Sequence, residues 1–247
     1  VQRGMQQIDA LMHFRIANLA YATYGRKNMQ EQCGAGSHDY NRKTGGTMSR
    51  GMQDTIGYEE AKSINANVTN STIENLVHQY AWYKEKDEYG ADKVTQVNNI
   101  CCLGYEDIYG NKYDMMDGVD LPNTNGNAGK WRIWMPDGST IMIKGSTNSG
   151  YWITAVAHGK LMAVVPIGSV NGSSSTYYAD MYWYSGSAGR VVYRGYYYAY
   201  AYGGVSGAYA NYDASYAYAN VGSRLAFRGN IVKAESVVAY KALTEVA

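Results

Sequence analysis

Tyr196-Tyr197-Tyr198-Ala199-Tyr200-Ala201-Tyr202-Gly203-Gly204-Val205-Ser206 is the stretch on which the reading of this chain turns. It continues, after Gly207, as Ala208-Tyr209-Ala210-Asn211-Tyr212-Asp213-Ala214-Ser215-Tyr216-Ala217-Tyr218-Ala219-Asn220. From Gly195 to Asn220 the alphabet is Tyr, Ala, Gly, Ser, Asn, Asp and one Val. The wider segment 177–220 holds 14 of the 26 tyrosines. A core strand carries Val, Ile and Leu on its buried face. Here the neighbours of Tyr are Ala, Gly and Ser, which are too small to bury much. Tyrosine is rigid, with two rotatable angles, a broad apolar face and one hydroxyl. Set among Ser, Gly and Asn, it has the composition of antibody binding loops. The segment therefore reads as a contact surface. The competing readings are a half-buried tyrosine ladder on a sheet and a low-complexity, assembly-prone tract.

Working outward, 247 residues suit one large domain or two small ones. A charged fraction of 17%, a net charge of +1 and no basic run give no reason to expect a nucleic-acid partner. No apolar run is long enough to insert in a membrane, and no secretory signal is visible. Cys33, Cys101 and Cys102 contain no CxxC pair and leave one cysteine over. Neither a zinc site nor a disulfide framework is expected from them.

Upstream, Met5, Ile8, Met12, Ile16 and Leu19 recur at helical spacing, with Gly25 as C-cap, and predict a helix over 5–24. His13 on it reads as packed or exposed rather than as a ligand. Residues 26–57 show no period and are expected to be irregular. Ser71-Thr72-Ile73-Glu74 is a capping box and predicts a second helix over 72–86, closed by Gly90. Trp131–Met135 and Thr140–Lys144 flank a Pro136-Asp137-Gly138 turn and predict a hairpin. A second hairpin is expected from Tyr151–Ala157 to Leu161–Ile167. Val221–Gly229 reads as a terminal strand, and Val237–Tyr240 as one more strand or a docking segment. Helices first and short strands after predict an α+β fold.

Two motifs carry a family resemblance. Cys102-Leu103-Gly104-Tyr105-Glu106-Asp107-Ile108-Tyr109-Gly110-Asn111-Lys112-Tyr113-Asp114-Met115-Met116-Asp117-Gly118 resembles the GLYDMxGNVWEW signature of the formylglycine-generating-enzyme branch of the C-type lectin fold. Asn220-Val221-Gly222-Ser223-Arg224-Leu225-Ala226-Phe227-Arg228 resembles its closing NIGFRLAR strand. Gly203-Gly204-Val205-Ser206 stands where that branch carries GGSW. The ordered set covers about half the chain, from Cys102 to Gly229. No Cys follows Cys102, and Val205 replaces the Trp, so the resemblance implies the fold without the activity.

More closely, the chain resembles a variable protein of a diversity-generating retroelement. In that family adenine-specific copying errors rewrite positions near the C-terminus. Rewritten AAY codons reach Tyr, Ser, Asp, Gly, Ala or Val but never Lys, Glu, Gln, Met or Trp. Residues 196–220 stay within that set. The resemblance implies one C-type lectin-like domain over 1–247, with two N-terminal helices, several short antiparallel strands and long loops. A variable segment at about 177–220 would lie within it.

Implied ligand contacts are Tyr196, Tyr197, Tyr198, Tyr200, Tyr202, Tyr209, Tyr212, Tyr216 and Tyr218, with Tyr182 and Tyr184 as flankers. Gly203, Gly204, Gly222, Arg224 and Phe227 would form the invariant frame. The implied partner is a host-cell surface receptor, protein or glycan, met from a phage tail tip. A bacterial surface or pilus adhesin and a self-assembling virion subunit are the alternatives, and a homo-oligomer fits any of them. An enzyme is the remaining class. Glu106, Asp107, Asp114 and Asp117 are its candidate carboxylates for acid–base work, or for a structural Ca²⁺. The resemblance gives them structural roles, so no catalysis and no cofactor are expected.

Overall fold

The computed structural model describes residues 5–33, 55–56, 58–68, 80–98, 101–103, 105–106, 108–110, 112–159, 161–196, 202–218 and 220–227. The chain opens with β1 (Met5–Gln7), α1 (Ala10–Tyr24) and α2 (Gln30–Cys33). A small unit follows: β2 (Thr55–Ile56), α3 (Tyr58–Ile64), β3 (Tyr80–Lys86) and β4 (Asp92–Asn98). Then come β5 (Cys101–Cys102), β6 (Tyr105–Glu106), β7 (Tyr113–Leu121), β8 (Lys130–Trp134) and β9 (Thr140–Lys144). The last group is β10 (Tyr151–Ala157), β11 (Val165–Val170), β12 (Met181–Tyr184), β13 (Arg190–Gly195), β14 (Ala208–Ala210), β15 (Val221–Gly222) and β16 (Leu225–Phe227). The fold is α+β and mostly β.

The main sheet runs β11-β10-β12-β14-β13-β7-β8-β9, with β15 added beside β7. Its pairs are antiparallel except β12 with β14 and β15 with β7. The sheet's inner face and α1 close over the principal core, which includes Phe14, Trp131, Ile133, Ile153, Tyr182 and Val192.

The helix over 5–24 is present but starts later. Asp9 is its N-cap, accepting the Met12 N–H at 2.8 Å, and Gly25 closes it at φ 63°. Met5–Gln7 instead pairs antiparallel with β16. Ile8 and Ile16 of the expected stripe are buried and Met12 packs against the core, but Leu19 is exposed, and Ala10, His13, Phe14 and Ala17 share the buried face.

The second predicted helix is corrected where it is described. Tyr80–Lys86 is a strand, paired residue for residue with Asp92–Asn98. Residues 69–79 lie outside the described residues. The aromatic run Tyr80-Ala81-Trp82-Tyr83 suits a pleated surface better than a helix. Gly90, at φ 82°, belongs to the hairpin turn, where Asp87 Oδ1 accepts the Tyr89 and Ala91 N–H groups. Trp82 and Val94 pack with Ala61 and Val68 in a separate small core.

The hairpin over 131–144 forms as β8–β9. The next one pairs β10 with β11, its return strand beginning at Val165 and its register shifting twice between Ile153 and Val156. The predicted terminal strand is two pieces, β15 and β16, broken at Ser223–Arg224. The segment Val237–Tyr240 lies outside the described residues.

Removing the α1 cap tests the helix boundary. Asp9→Ala should cost about 1 kcal/mol in chemical denaturation. An unchanged midpoint would place the helix start elsewhere.

Candidate functional site

Strand periodicity sorts the tyrosine segment into two faces. Across β12, β14, β13 and β7, cross-strand neighbours line up as Trp183, Tyr209, Tyr193 and Met115. One residue along, the row is Tyr182, Ala208, Arg194 and Asp114. The second row faces the principal core: Tyr182, Arg194 and Ala208 are all nearly inaccessible. The first row belongs to a separate aromatic cluster, with Tyr113, Tyr193 and Tyr196 at its base and Trp183, Tyr202, Tyr209, Tyr212 and Tyr216 half-buried on it.

The rings touch in sequence. Centroid separations are 6.2 Å for Trp152–Tyr202, 5.9 Å for Tyr202–Trp183 and 4.5 Å for Trp183–Tyr209. They continue at 5.9 Å for Tyr209–Tyr212, 3.8 Å for Tyr212–Tyr216 and 4.6 Å for Tyr216–Tyr218. The Tyr209, Tyr212 and Tyr216 rings are stacked near parallel, within the range where aromatic pairs attract. Tyr218 ends the row at 66% exposure. An open recess of about 370 Å³ borders this end, lined by Arg190, Tyr212, Asp213, Ser215, Tyr216 and Tyr218.

Main-chain bonds hold the segment. The Tyr196 carbonyl accepts from Gly110, Tyr202 from Met181, Ala210 from Ser185, Tyr212 from Val191 and Tyr218 from Val221. Asp213 supports the last loop through its side chain. It accepts from the Ser215 N–H and Oγ and pairs with Arg190 at 3.3 Å, and these partners hold its carboxyl below the ordinary range.

Beneath the rings, Gly203–Gly207 wraps around Asp180. Asp180 Oδ2 accepts the Ser206 N–H at 2.8 Å. A Cβ on Gly204 would lie 2.1 Å from Asp180 Oδ1, so this position admits only glycine unless the carboxyl moves. Arg194 donates from Nη1 to the Ser206 carbonyl at 3.1 Å and from Nη2 to the Val164 carbonyl. Its guanidinium lies 5.1 Å from the Trp131 ring centre and 5.7 Å from that of Phe14. Tyr21 Oη and Ser206 Oγ share a hydrogen bond, and Gln30 Nε2 donates to the Gly203 carbonyl. Burial pushes Asp180 up to about 8, against the pull of the Ser206 and Gly207 amides and of Arg194. Burial lowers Arg194 to about 10. His13 is buried beside this charge and is held well below its ordinary value, first by burial and then by Arg194 and Arg224.

The sequence-predicted contacts divide accordingly. Tyr202, Tyr209, Tyr212, Tyr216 and Tyr218 lie together on the ring face with partial or full exposure. Tyr196 is on the same face but only 7% exposed, so it serves as floor. Tyr197, Tyr198 and Tyr200 lie outside the described residues. Tyr182 is corrected: it is a core residue at 0% exposure, on the opposite face. Tyr184 shares that face, packs on the core and donates its hydroxyl to Asn123 Oδ1 at 3.2 Å. A strict period of two through Met181-Tyr182-Trp183-Tyr184 would have pointed to Trp183 instead. Trp183, Tyr113, Tyr193 and Trp152 are the ring-face residues that the sequence reading missed.

Of the frame residues, Gly203 and Gly204 are buried in the turn. Gly222 pairs with Asp114, and Phe227 with Met5. Arg224 Nε donates to Asp114 Oδ2 at 2.7 Å, which makes Asp114 a structural partner. Burial still raises that carboxyl, with Arg224 opposing. Asp117 is exposed and accepts from its neighbour Gly118. Asp107 lies outside the described residues.

A larger cleft of about 570 Å³ lies beside the α1 N-terminus, lined by Asp9, Asp117, Asp120 and Trp134 among others. Two of its carboxylates already have structural work: Asp9 caps α1 and Asp120 pairs with Arg132. Among the described residues, no group of three or more His, Cys, Asp or Glu side chains is placed to hold a metal.

Comparison with protein-family models, with characterised proteins and with solved structures returns no match.

Two measurements check this geometry. An unfolded Asp ionises near pH 3.9, whereas folded Asp180 holds its proton to about 8. Its contribution is therefore full below about pH 4 and is lost as pH rises towards 8. Thermal melts of wild type and Asp180→Asn should diverge across that window, with the wild type losing ground as pH rises. Parallel curves would refute the assignment. Comparing the pair removes the opposite effect of His13, which costs stability as pH falls below about 6.5. Separately, Tyr193→Ala should cost about 3–5 kcal/mol as a buried aromatic truncation. Tyr218→Ser should stay within about 0.5 kcal/mol. Equal costs would mean the two rings are not floor and surface.

Proposed function

We propose that the chain is a hypervariable binding protein. In this reading a C-type lectin-like frame, of the kind found with diversity-generating retroelements, displays a tyrosine-rich face that grips a host-cell surface receptor. The setting we favour is a phage tail tip. The observation that carries the proposal is the sorting of residues 202–218. Tyr202, Tyr209, Tyr212, Tyr216 and Tyr218 gather on one outward face, while Ala208 and Ala210 point to the core. Every one of those tyrosines belongs to the adenine-reachable set. Trp152 and Trp183, whose rings touch Tyr202 and Tyr209 on the same face, do not.

Substituting an outward ring leaves the inner row untouched, and the carbonyls of Tyr196, Tyr202, Ala210, Tyr212 and Tyr218 are bonded by peptide N–H groups. Clustered, partly exposed tyrosines supply contact area at low entropic cost, which is why they dominate binding loops. The polar side chains bordering the recess already have partners: Asp213 with Ser215 and Arg190, Arg190 also with the Ala188 and Asn211 carbonyls. What the face offers a target is ring surface and phenol edges. That suits a protein surface or a neutral glycan better than a strongly charged ligand.

Sequencing the gene across a cultured population of its source tests the reading. Changes should concentrate in the codons for residues 196–220 and spare those for Trp183 and Tyr113. A near-copy of this segment, differing only at adenines, should lie beside a reverse transcriptase gene. Changes spread evenly along the gene, or no such copy, would overturn the proposal.

A further inference from the structure

The two edges of the main sheet are finished differently. At the β11 edge, Pro166 has no N–H to offer, and its carbonyl accepts the Ser146 N–H at 2.8 Å. Asn148 covers the same edge: its Nδ2 donates to the Ser169 carbonyl at 3.0 Å, and its own carbonyl accepts from Ser169 Oγ at 3.2 Å. β9 is the other edge and, among the described residues, has one strand neighbour, β8.

The register shows which peptide groups β9 leaves open. Antiparallel strands alternate bonded pairs with non-bonded pairs. The Met135 N–H donates to the Ser139 carbonyl, and the Gly145 N–H to the Gly129 carbonyl, both at 2.8 Å. Between those two bonded pairs the register is unbroken, from Thr140 opposite Trp134 to Lys144 opposite Lys130. Ile141 and Ile143 therefore turn their peptide groups to β8, while Thr140, Met142 and Lys144 turn theirs outward. Among the described residues those three find no main-chain partner on the open side.

Proteins blunt an open edge with a proline, a bulge or a covering segment. β11 has Pro166, two register shifts against β10 and the Ser146–Asn148 cover. β9 has none of these. Its only charge is Lys144, and Ile141 and Met142 are exposed at 37% and 38%.

We propose that β9 is a dimerisation edge: two copies of this chain pair their β9 strands antiparallel about a two-fold axis at Met142. A row of open N–H and C=O groups is met by another strand, and two identical open edges satisfy each other. Side chains select the register. Centred on Met142, the pairing sets Ile141 opposite Ile143 of the other copy and Thr140 opposite Lys144. Ile133, the neighbour of Ile141 on β8, is fully buried, so the isoleucine pairs extend the core layer and cover Ile141. The two lysines then stand roughly 13 Å apart along the strands, beyond the screening length of about 8 Å. Centring on Lys144 would set the like charges face to face. Centring on Thr140 would put Ile141 opposite Ser139.

Cross-strand neighbours share a face. The pairing therefore keeps the ring faces of both copies on one side of a continuous sheet, where two joined faces grip a repetitive surface more tightly than one. This consequence rests on the proposed binding function, whereas the pairing itself does not.

Sedimentation of the purified chain over about 1–200 µM tests the proposal. The average mass should rise from one chain to two across that range; a mass that stays at one chain would overturn it. Met142→Pro removes the central intermolecular donor and no bond to β8, so it should leave a folded monomer throughout. A dimer that survives this change would place the interface elsewhere. Met142→Cys checks the same axis without a backbone change. Bonded pairs have Cα atoms about 5.5 Å apart, within disulfide reach. Mild oxidation should join the introduced sulfurs of two copies, while Ile167→Cys on β11 should give no such bridge. No bridge at position 142, or equal bridging at both positions, would overturn the proposal. So would slow amide exchange at Thr140, Met142 and Lys144 in dilute monomer, since another part of the chain would then cover the edge. All of these measurements read assembly alone, so they can fail while the population sequencing of the tyrosine segment succeeds, and the reverse.

Discussion

The Asp180 carboxyl, wrapped by the Gly203–Gly207 turn and set near the buried Arg194, is the constraint on which the ring face depends. It joins pieces distant in sequence. Asp180 precedes β12, Arg194 comes from β13, and the turn between β13 and β14 supplies the Ser206 amide and carbonyl. Tyr21 reaches the same serine from α1, and Arg194 reaches the Val164 carbonyl just before β11. Burying a guanidinium is costly unless its donors and charge are met. Here carbonyls take the donors, while the Trp131 and Phe14 rings face the charge. A protonated Asp180 does not neutralise it. The carboxyl's role is geometric: it receives backbone amides and sets the turn that carries Tyr202 to one side and Ala208 to the other.

The buried alanines of β14 have a physical reason. Ala208 stands between Tyr182 and Arg194 in cross-strand register, and both are long side chains pointing into the same core layer. A larger residue at that point would collide with them; a smaller one would leave a void. In β14 the Tyr–Ala alternation is therefore a strand with Ala208 and Ala210 buried and Tyr209 outside. That inverts the usual arrangement, and the core is filled from neighbouring strands instead.

Local chemistry made part of this legible in advance. The Pro136-Asp137-Gly138 turn, the Gly25 cap and the apolar spacing of α1 are decided by neighbours a few residues away. They predict the β8–β9 hairpin and most of the helix. The β3 strand was hidden because Ser71–Glu74 offers a helix start and nothing local stops the run before Gly90. Pairing with Asp92–Asn98 decides the strand, and that information lies across the hairpin. The tyrosines were legible as a class but not one by one. Whether Tyr182 or Trp183 faces outward depends on strand register, which shifts every side chain by one face per residue. The Asp180 anchor left no local signal at all, since its partners are 14 and 26 residues further along the chain.

Backbone support separates what the segment is made of from what shapes it. The carbonyls of Tyr196, Tyr202, Tyr212 and Tyr218 are all taken by N–H groups of residues outside the 196–220 stretch or at its edge. None of those bonds depends on the side chain the residue carries. Ring contacts add to them, but the ring at the far end, Tyr218, contributes little because water reaches most of it. Stability therefore falls off from Tyr193 and Tyr196 outward to Tyr218, and tolerance of substitution rises in the same direction. In the binding role proposed above, a partner would draw on the same outer rings. Their stacking limits rotamer freedom before any contact is made, so less entropy remains to be lost on association.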